Sequence, residues 1–433
     1  MSGALLLVFA LLGALHLGVA LFGPRRPPRI AYFLFVDGLV TSELGWLNIA
    51  WSALVAAGLV ALGALDTTAG EIGIWLLVIV WLGLGIAQLR QSRSRRILAK
   101  ALDASIGHEA QGARRSRVDP IALLRPWRPP EHGVARIDGL RYGDDPRQYF
   151  EVLRPADATG PDPTGSFLAG PAAKLPVLLH VHGGSWVGGR PERQSRPLRW
   201  HLARQGWLTV APGYRVSPAA TFPDQLIDVK RALAWVREHA DELGADPDLV
   251  VISGGSAGGH LASLLALTPN DPAYQPGFED IDTSVAGCIS MYGIYDFLDR
   301  NQDHPNSTRP GFLANVVMKS DRDAERAAWN AASPIAQVRP DAPPFLVIHG
   351  DFDSLVWREE ADSFVRALAA TSEAPVSYAV LPGAQHAFDA LVTVRTHHVA
   401  HAIHRFAEWV RAGRNGAATL PATPQSDVAA NLG

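Results

Sequence analysis

The sequence predicts an α/β fold, a mostly parallel and doubly wound sheet, carried behind an N-terminal region of transmembrane helices. Long runs within the first 89 residues carry no Asp, Glu, Lys or Arg. From about residue 134 onward, short segments rich in Val, Ile and Leu alternate with stretches of helical periodicity, the pattern of strands buried on both faces of a parallel sheet. Several of those strand-like segments end in Gly, His, Asp or Ser, and ligands of a doubly wound sheet collect at such carboxyl ends.

The uncharged runs are Gly3–Gly23, Trp46–Leu65 and Ile72–Leu89. A helix needs roughly 20 apolar residues to cross the hydrocarbon of a bilayer, so all three are read as spans. Trp46, Trp51, Trp75 and Trp81 add aromatic rings, some near the ends, where the interface favours them. A cleaved signal peptide needs a basic start, which the first run lacks, and buried helices of a water-soluble protein would keep a polar face. Basic clusters follow the first run ("RRPPR", Arg25–Arg29) and the third ("RQSRSRR", Arg90–Arg96), whereas the turn "DTTAGE" between the second and third has no Lys or Arg. The excess of positive charge on cytoplasmic loops therefore predicts a multi-pass protein with everything after Arg90 in the cytoplasm. Ile30–Val40, apolar but short and interrupted by Asp37, is read as an interfacial or re-entrant segment.

The 433 residues leave room for one large domain behind this region. We divide the chain into a membrane region (1–96), a juxtamembrane helix and linker (97–133), an α/β domain (134–413) and a disordered tail (414–433). A net charge of −3 argues against a nucleic-acid partner. Cys288 is the single cysteine, which excludes an intramolecular disulfide; in the apolar run "VAGCISMYG" it is read as a core residue.

Strand-like segments follow in order: "GVARIDGLRYG", "QYFEVLRP", "LPVLLHVHGG", "WLTVAPGYR", "DLVVISGGS", "VAGCISMYG", "PFLVIHGDFD" and "VSYAVLPG". Between the fourth and fifth, Leu226, Val229, Leu233 and Val236 recur at helical spacing. "AGGHLASLLAL" and "HHVAHAIHRFAEWVRAG" are the helices after the serine and at the close of the domain. Asp296–Val338, rich in Asp, Arg, Asn and Pro, interrupts the strands and is read as a lid or acyl-pocket wall or, being polar, equally as a surface insertion with no catalytic part.

The stretch "VVISGGSAGGHL" (Val250–Leu261) contains G-x-S-x-G around Ser256, a corner at which a strand turns at once into a helix and exposes one hydroxyl. A serine hydroxyl reacts at neutral pH only with a general base, and the base needs an orienting acid. His386, in a loop after a strand, is the best placed of the 15 histidines. Asp353 of "HGDFD" is preferred as the acid over Asp351, Glu359 and Glu360, with Asp351 bracing the turn. The amide of Ala257, together with Gly183 and Gly184 in "HGGSW", can face a developing oxyanion. Neither glycine-rich stretch ends in the Lys-Ser/Thr of a phosphate loop. His397, His398, His401 and His404 lie on the closing helix without carboxylate or cysteine ligands of metal-site spacing, and His260 is read as structural.

"HVHGGSW", "GGSAGG", "HGDFD" and "QHAF", in that order, resemble the α/β-hydrolase superfamily, specifically the HGG-type carboxylesterases and lipases related to hormone-sensitive lipase and to the feruloyl and acetyl esterases. The resemblance covers roughly residues 134–413. It implies an α/β-hydrolase fold, with Ser256 as nucleophile, His386 as base, Asp353 as orienting acid and the amides of Gly183, Gly184 and Ala257 as oxyanion hole. The expected function is that of a serine carboxylesterase acting on a small-molecule or lipid ester, with no metal or organic cofactor. Acyl transfer through the same acyl-enzyme is the alternative chemistry, and a non-catalytic binding module the alternative class. The membrane region departs from the soluble members of the family and leaves the natural substrate open.

Overall fold

Helix α1 (Ser2–Phe22) contains no charged residue and stops at Gly23, whose φ of 51° is a left-handed cap. The computed structural model to which it belongs describes residues 1–23, 30–107, 118–129, 131–158, 174–302 and 309–414. The Arg25–Arg29 cluster, most of the Pro155–Gly170 turn and nearly all of the C-terminal tail lie outside those residues.

Helix α2 (Ala31–Glu43) occupies the segment read as interfacial, and helix α3 (Gly45–Ala61) follows it after a bend of 85°. Helix α4 (Thr68–Ile106) begins at Thr67, whose side chain accepts the Gly70 N–H at 3.2 Å, a standard N-cap. Among the described residues, α1 and α4 are each long and apolar enough to cross a membrane; α3 reaches that length only when counted with α2. Helices α1 and α4 pack closely because Gly73 has no side chain: a Cβ there would stand 2.9 Å from Leu7 N. Such close approach at small residues is how apolar helices associate in lipid.

The third uncharged run and the basic run after it form one unbroken helix of 39 residues. Its last turns leave the apolar bundle and enter the α/β domain, where Leu98, Leu102 and Ile106 are buried among residues of the sheet. Each such burial contributes roughly 1.5–3 kcal/mol, so the end of α4 belongs to the core of the domain.

That domain is an eight-stranded sheet, β1 (Val134–Arg141), β2 (Tyr149–Pro155), β3 (Leu175–Val181), β4 (Leu208–Pro212), β5 (Ala245–Gly255), β6 (Gly287–Met291), β7 (Phe345–Gly350) and β8 (Val376–Leu381), in the order β1-β2-β4-β3-β5-β6-β7-β8. Strands β3 to β8 pair in parallel, while β1 and β2 form an antiparallel edge. Alternate residues feed the two faces, as strand geometry requires. Val177, Leu179, Val250, Ile252, Phe345 and Val347 enter one core, and Leu178, Val251, Leu346 and Ile348 the other. Helices α5 (Arg196–Arg204) and α9 (Val394–Arg414) share the second face with the end of α4; α6 (Asp224–Glu238), α7 (Ala257–Leu267) and α8 (Arg358–Thr371) cover the first. Leu226, Val229, Leu233 and Val236 of α6 are fully buried, as their spacing predicts.

Candidate active site

Ser256 stands between β5 and α7 with φ 58° and ψ −126°, a backbone conformation costly for a residue with a Cβ and therefore held by its surroundings. Those surroundings are backbone. A Cβ on Gly258 would collide with Val181 O at the end of β3, and one on Gly254 with Gly258 O. The glycines beside the serine are thus required by close approach of β5, α7 and β3, and the serine is lifted to the carboxyl edge of the sheet.

His386 and Asp353 meet it there. His386 Nε2 lies 2.8 Å from Ser256 Oγ and His386 Nδ1 lies 2.7 Å from Asp353 Oδ2. Asp353 is fully buried, and its Oδ1 accepts the N–H groups of Leu355 and Val356 at 2.9 and 2.8 Å. Burial alone would raise its pKa, but the charge and hydrogen bonds of His386 and His349 outweigh it and hold the carboxyl below the usual range. An ionised acid on Nδ1 keeps that nitrogen protonated and leaves Nε2 to accept the serine proton. The rejected acids have other partners. Asp351 accepts the Gly383 N–H at 2.6 Å, and Glu360 accepts those of Tyr295 and Asp296 at 2.8 Å.

Gly183 lies directly against the serine; a Cβ on it would be 3.0 Å from Ser256 Cβ. Its N–H is donated to Gln194 Oε1 at 2.6 Å. Gly184, with φ 122°, carries the loop onward where only glycine is comfortable. Ala257 opens α7, so its N–H is one of the unpaired donors of a helix first turn.

Residues that local sequence does not reveal complete the site. Gln385 Oε1 accepts the N–H of Ser354 at 2.7 Å and of His386 at 3.0 Å, tying the acid loop to the base loop. Tyr292 sets its ring edge against His386, centroid to centroid 4.7 Å. The Tyr292 hydroxyl donates to Asp389 Oδ1, and Ser195 Oγ donates to Asp389 Oδ2; burial raises the Asp389 pKa against those bonds. His349 Nε2 lies 2.9 Å from Val356 O and 3.4 Å from Asp353 Oδ2. His260 is held between Trp186 Nε1 at 3.2 Å and Ala332 O at 2.8 Å, and stacks on Phe297. Among the described residues no three His, Cys, Asp or Glu side chains are grouped to hold a metal.

A nucleophile elbow at the carboxyl edge of a parallel sheet, with an imidazole and a buried carboxylate in line behind it, defines the class of α/β hydrolases. The family BD-FAE matches residues 169–368. Among curated proteins of Mycobacterium tuberculosis, Probable carboxylic ester hydrolase LipM is 40% identical over 366 residues, covering 80% of this chain and 81% of its own. Esterase LipC is 39% identical over 324 residues, covering 72% of this chain and 77% of its own. A truncated carbohydrate esterase from gut microbiota superposes with a TM-score of 0.53 at 20% identity, over 65% of this chain and 99% of that chain, which bears on the fold alone. The chain belongs to the α/β-hydrolase carboxylesterases of the hormone-sensitive-lipase-like group, and it is a carboxylic ester hydrolase.

Proposed function

We propose that the protein is a membrane-tethered serine carboxylesterase that works through an acyl-enzyme. The observation that carries this reading is the unbroken line from Asp353 through His386 to Ser256, with separations of 2.7 and 2.8 Å. Ser256 Oγ attacks the ester carbonyl carbon while its proton passes to His386 Nε2, and Asp353 stabilises the imidazolium. The amides of Gly184 and Ala257 receive the oxyanion, joined by that of Gly183 when Gln194 turns away. The C–O bond to the alcohol breaks and the alcohol takes the proton from His386. Water, deprotonated by the same imidazole, then releases the acid.

The N-terminal helices tether this site to a bilayer. Taking α3 as a span at the short end of the roughly 17–25 residues that suffice, α1 and α4 run in the same direction and α3 returns between them, which puts the end of α1 and the basic run after Leu89 on one side. The excess of Arg there makes that side, and residues 134–413, cytoplasmic. In this division 1–96 is the membrane region, and 97–133 leads from it into the domain, the end of α4 packing in that domain's core.

Ser256→Ala tests the chemistry. Turnover of a short aryl ester should fall by about three orders of magnitude or more, and labelling by a fluorophosphonate should vanish. Retained turnover in a folded variant would remove Ser256 from the mechanism. Product analysis with competing alcohols separates hydrolysis from acyl transfer.

A further inference from the structure

The reacting groups are roofed by the N-terminal helices. Phe35 of α2 meets His386 edge to face, centroids 5.8 Å apart at 81°. One turn on, a Cβ at Gly38 would stand 3.1 Å from Nε2 of Gln385, the side chain that ties the acid and base loops together. Gly23, at the end of α1, abuts Phe352 beside Asp353, and the Arg90 guanidinium of α4 lies 5.5 Å from the same ring. Glu43, closing α2, is paired with Arg395 of α9 at 2.7 Å, both fully buried. Contacts from α1, α2 and α4 therefore reach both loops that hold the nucleophile's partners.

The other side of α2 is apolar and bare. Tyr32 and Phe33 are 65% and 73% exposed, and Val36 and Val40 are also exposed. Positions 32, 33, 36 and 40 fall within an arc of about 100° of the helix, with Gly38 across from it and Phe35 on its flank, in ring contact with Tyr32. Helix α2 packs on the last turns of α1, with Gly38 against Val19 and Asp37 bonded to His16. There Arg90 donates to Leu21 O at 2.9 Å, the level at which α4 changes from apolar to basic. Leu15 of α1 and Leu82 and Leu89 of α4, all more than 60% exposed, carry the apolar surface of the spans toward this level. An aromatic and aliphatic helix at the end of a span, next to Arg, has the chemistry of the headgroup boundary.

We propose that α2 lies in the boundary of the bilayer as the membrane-side wall of the catalytic centre, and that the substrate is a membrane-resident ester whose long acyl chain reaches Ser256 from the lipid along this helix. The inference rests on the serine-esterase reading above. A chain that moves from lipid to an apolar wall avoids the cost of exposing each methylene to water. The bond changes are those of the hydrolysis already described: the acyl–oxygen bond of the lipid ester breaks, the acyl group joins Ser256 Oγ, and water restores the serine.

The test uses the full chain in phosphatidylcholine vesicles with two substrates, a water-soluble aryl acetate and dioleoylglycerol dissolved in the vesicle. The readout is the ratio of the two kcat/KM values, with fluorophosphonate labelling to count intact sites. Phe33→Ser combined with Val36→Ser should lower the dioleoylglycerol-to-acetate ratio at least tenfold, and Phe33→Leu should keep it within twofold of the native ratio. A ratio unchanged by the double variant, an equal loss on both substrates, or a native protein that cleaves only the acetate would overturn the proposal. Cys288 is the single cysteine and is buried, so a nitroxide on Phe33→Cys gives a second measurement. It should be more accessible to oxygen than to a nickel chelate, and the reverse order would overturn the placement of α2. Acetate turnover that survives Ser256→Ala would instead sink the serine mechanism, whatever the nitroxide shows.

Discussion

Leucine is handled in opposite ways in the two regions of this molecule. On α1, Leu11, Leu12 and Leu15 point outward and stay more than half exposed, whereas Leu178 and Leu179 of β3 are 0% exposed. The sheet domain also buries His180, Ser253, Asp353 and His386 around its site, whereas the buried polar groups of the helices, Glu43, Gln91 and Ser94, gather at the joint with that domain. In water an outward row of leucines is a liability, so the contrast supports the proposed bilayer setting of the first region. Helix contacts there rely on missing side chains, as at Gly73 and Gly83 against Leu7 and Leu17. In the sheet domain they rely on apolar area removed from water.

The largest break in that contrast is at the joint between the regions. Arg395 bonds Glu43 of α2, Ser94 of α4 and the Pro382 carbonyl, all within one buried cluster. Arg395→Ala strands the Glu43 carboxyl without its countercharge and should cost about 3–5 kcal/mol of stability. Replacing both partners by apolar residues should recover much of the loss. Thermal unfolding of the single and double variants checks this, and a shift under 1 kcal/mol for the single variant would dissolve the joint. A matched pair sharpens the contrast next. Leu178→Ala should cost about 2–5 kcal/mol, and Leu12→Ala less than about 0.5 kcal/mol, in the same detergent. Equal losses would mean that α1 faces protein.

A third test is a dependence on pH that arises within the sheet domain. Burial pushes the His260 pKa down to about 4 from 6.5. The folded state therefore keeps the ring neutral where the unfolded chain binds a proton, so stability is lost as pH falls from 6.5 toward 4 and is constant above 6.5. The contribution is at most about 3 kcal/mol. His260→Gln should flatten the fall in unfolding free energy between pH 6.5 and 4; an unchanged slope would assign the acid sensitivity to other groups, such as His182, also pushed down to about 4 by burial.

The parallel strands and the residues at their carboxyl ends were legible because both signals are local. Val–Ile–Leu runs of strand length end in the glycines and the Ser, His and Asp that face the site. Asp353 could be separated from Asp351 only by supposing that the nearer one braces a turn, and Asp351 does hold the Gly383 amide. Gln194, Tyr292, Gln385 and Asp389 were not legible, since each acts through a partner distant in sequence or through a side-chain direction that periodicity does not encode. The roof over His386 was hidden for the same reason: Phe35 and His386 are joined only by tertiary packing. The apolar run Trp46–Leu65 overstates its helix, which stops at Ala61 ahead of Gly63 with φ 79°, because hydropathy does not register a turn made of apolar residues.

Helix α4 runs without a break from the apolar bundle into the second core of the sheet, and this fixes an angular phase as well as a connection. Each residue inserted between Leu89 and Leu98 would swing one half against the other by about 100° and lift it by about 1.5 Å. Phe35 would then be carried off His386 while every local element stayed intact. Length variation in this stretch is thus limited to additions that nearly complete whole turns, a restriction that a flexible tether would not impose.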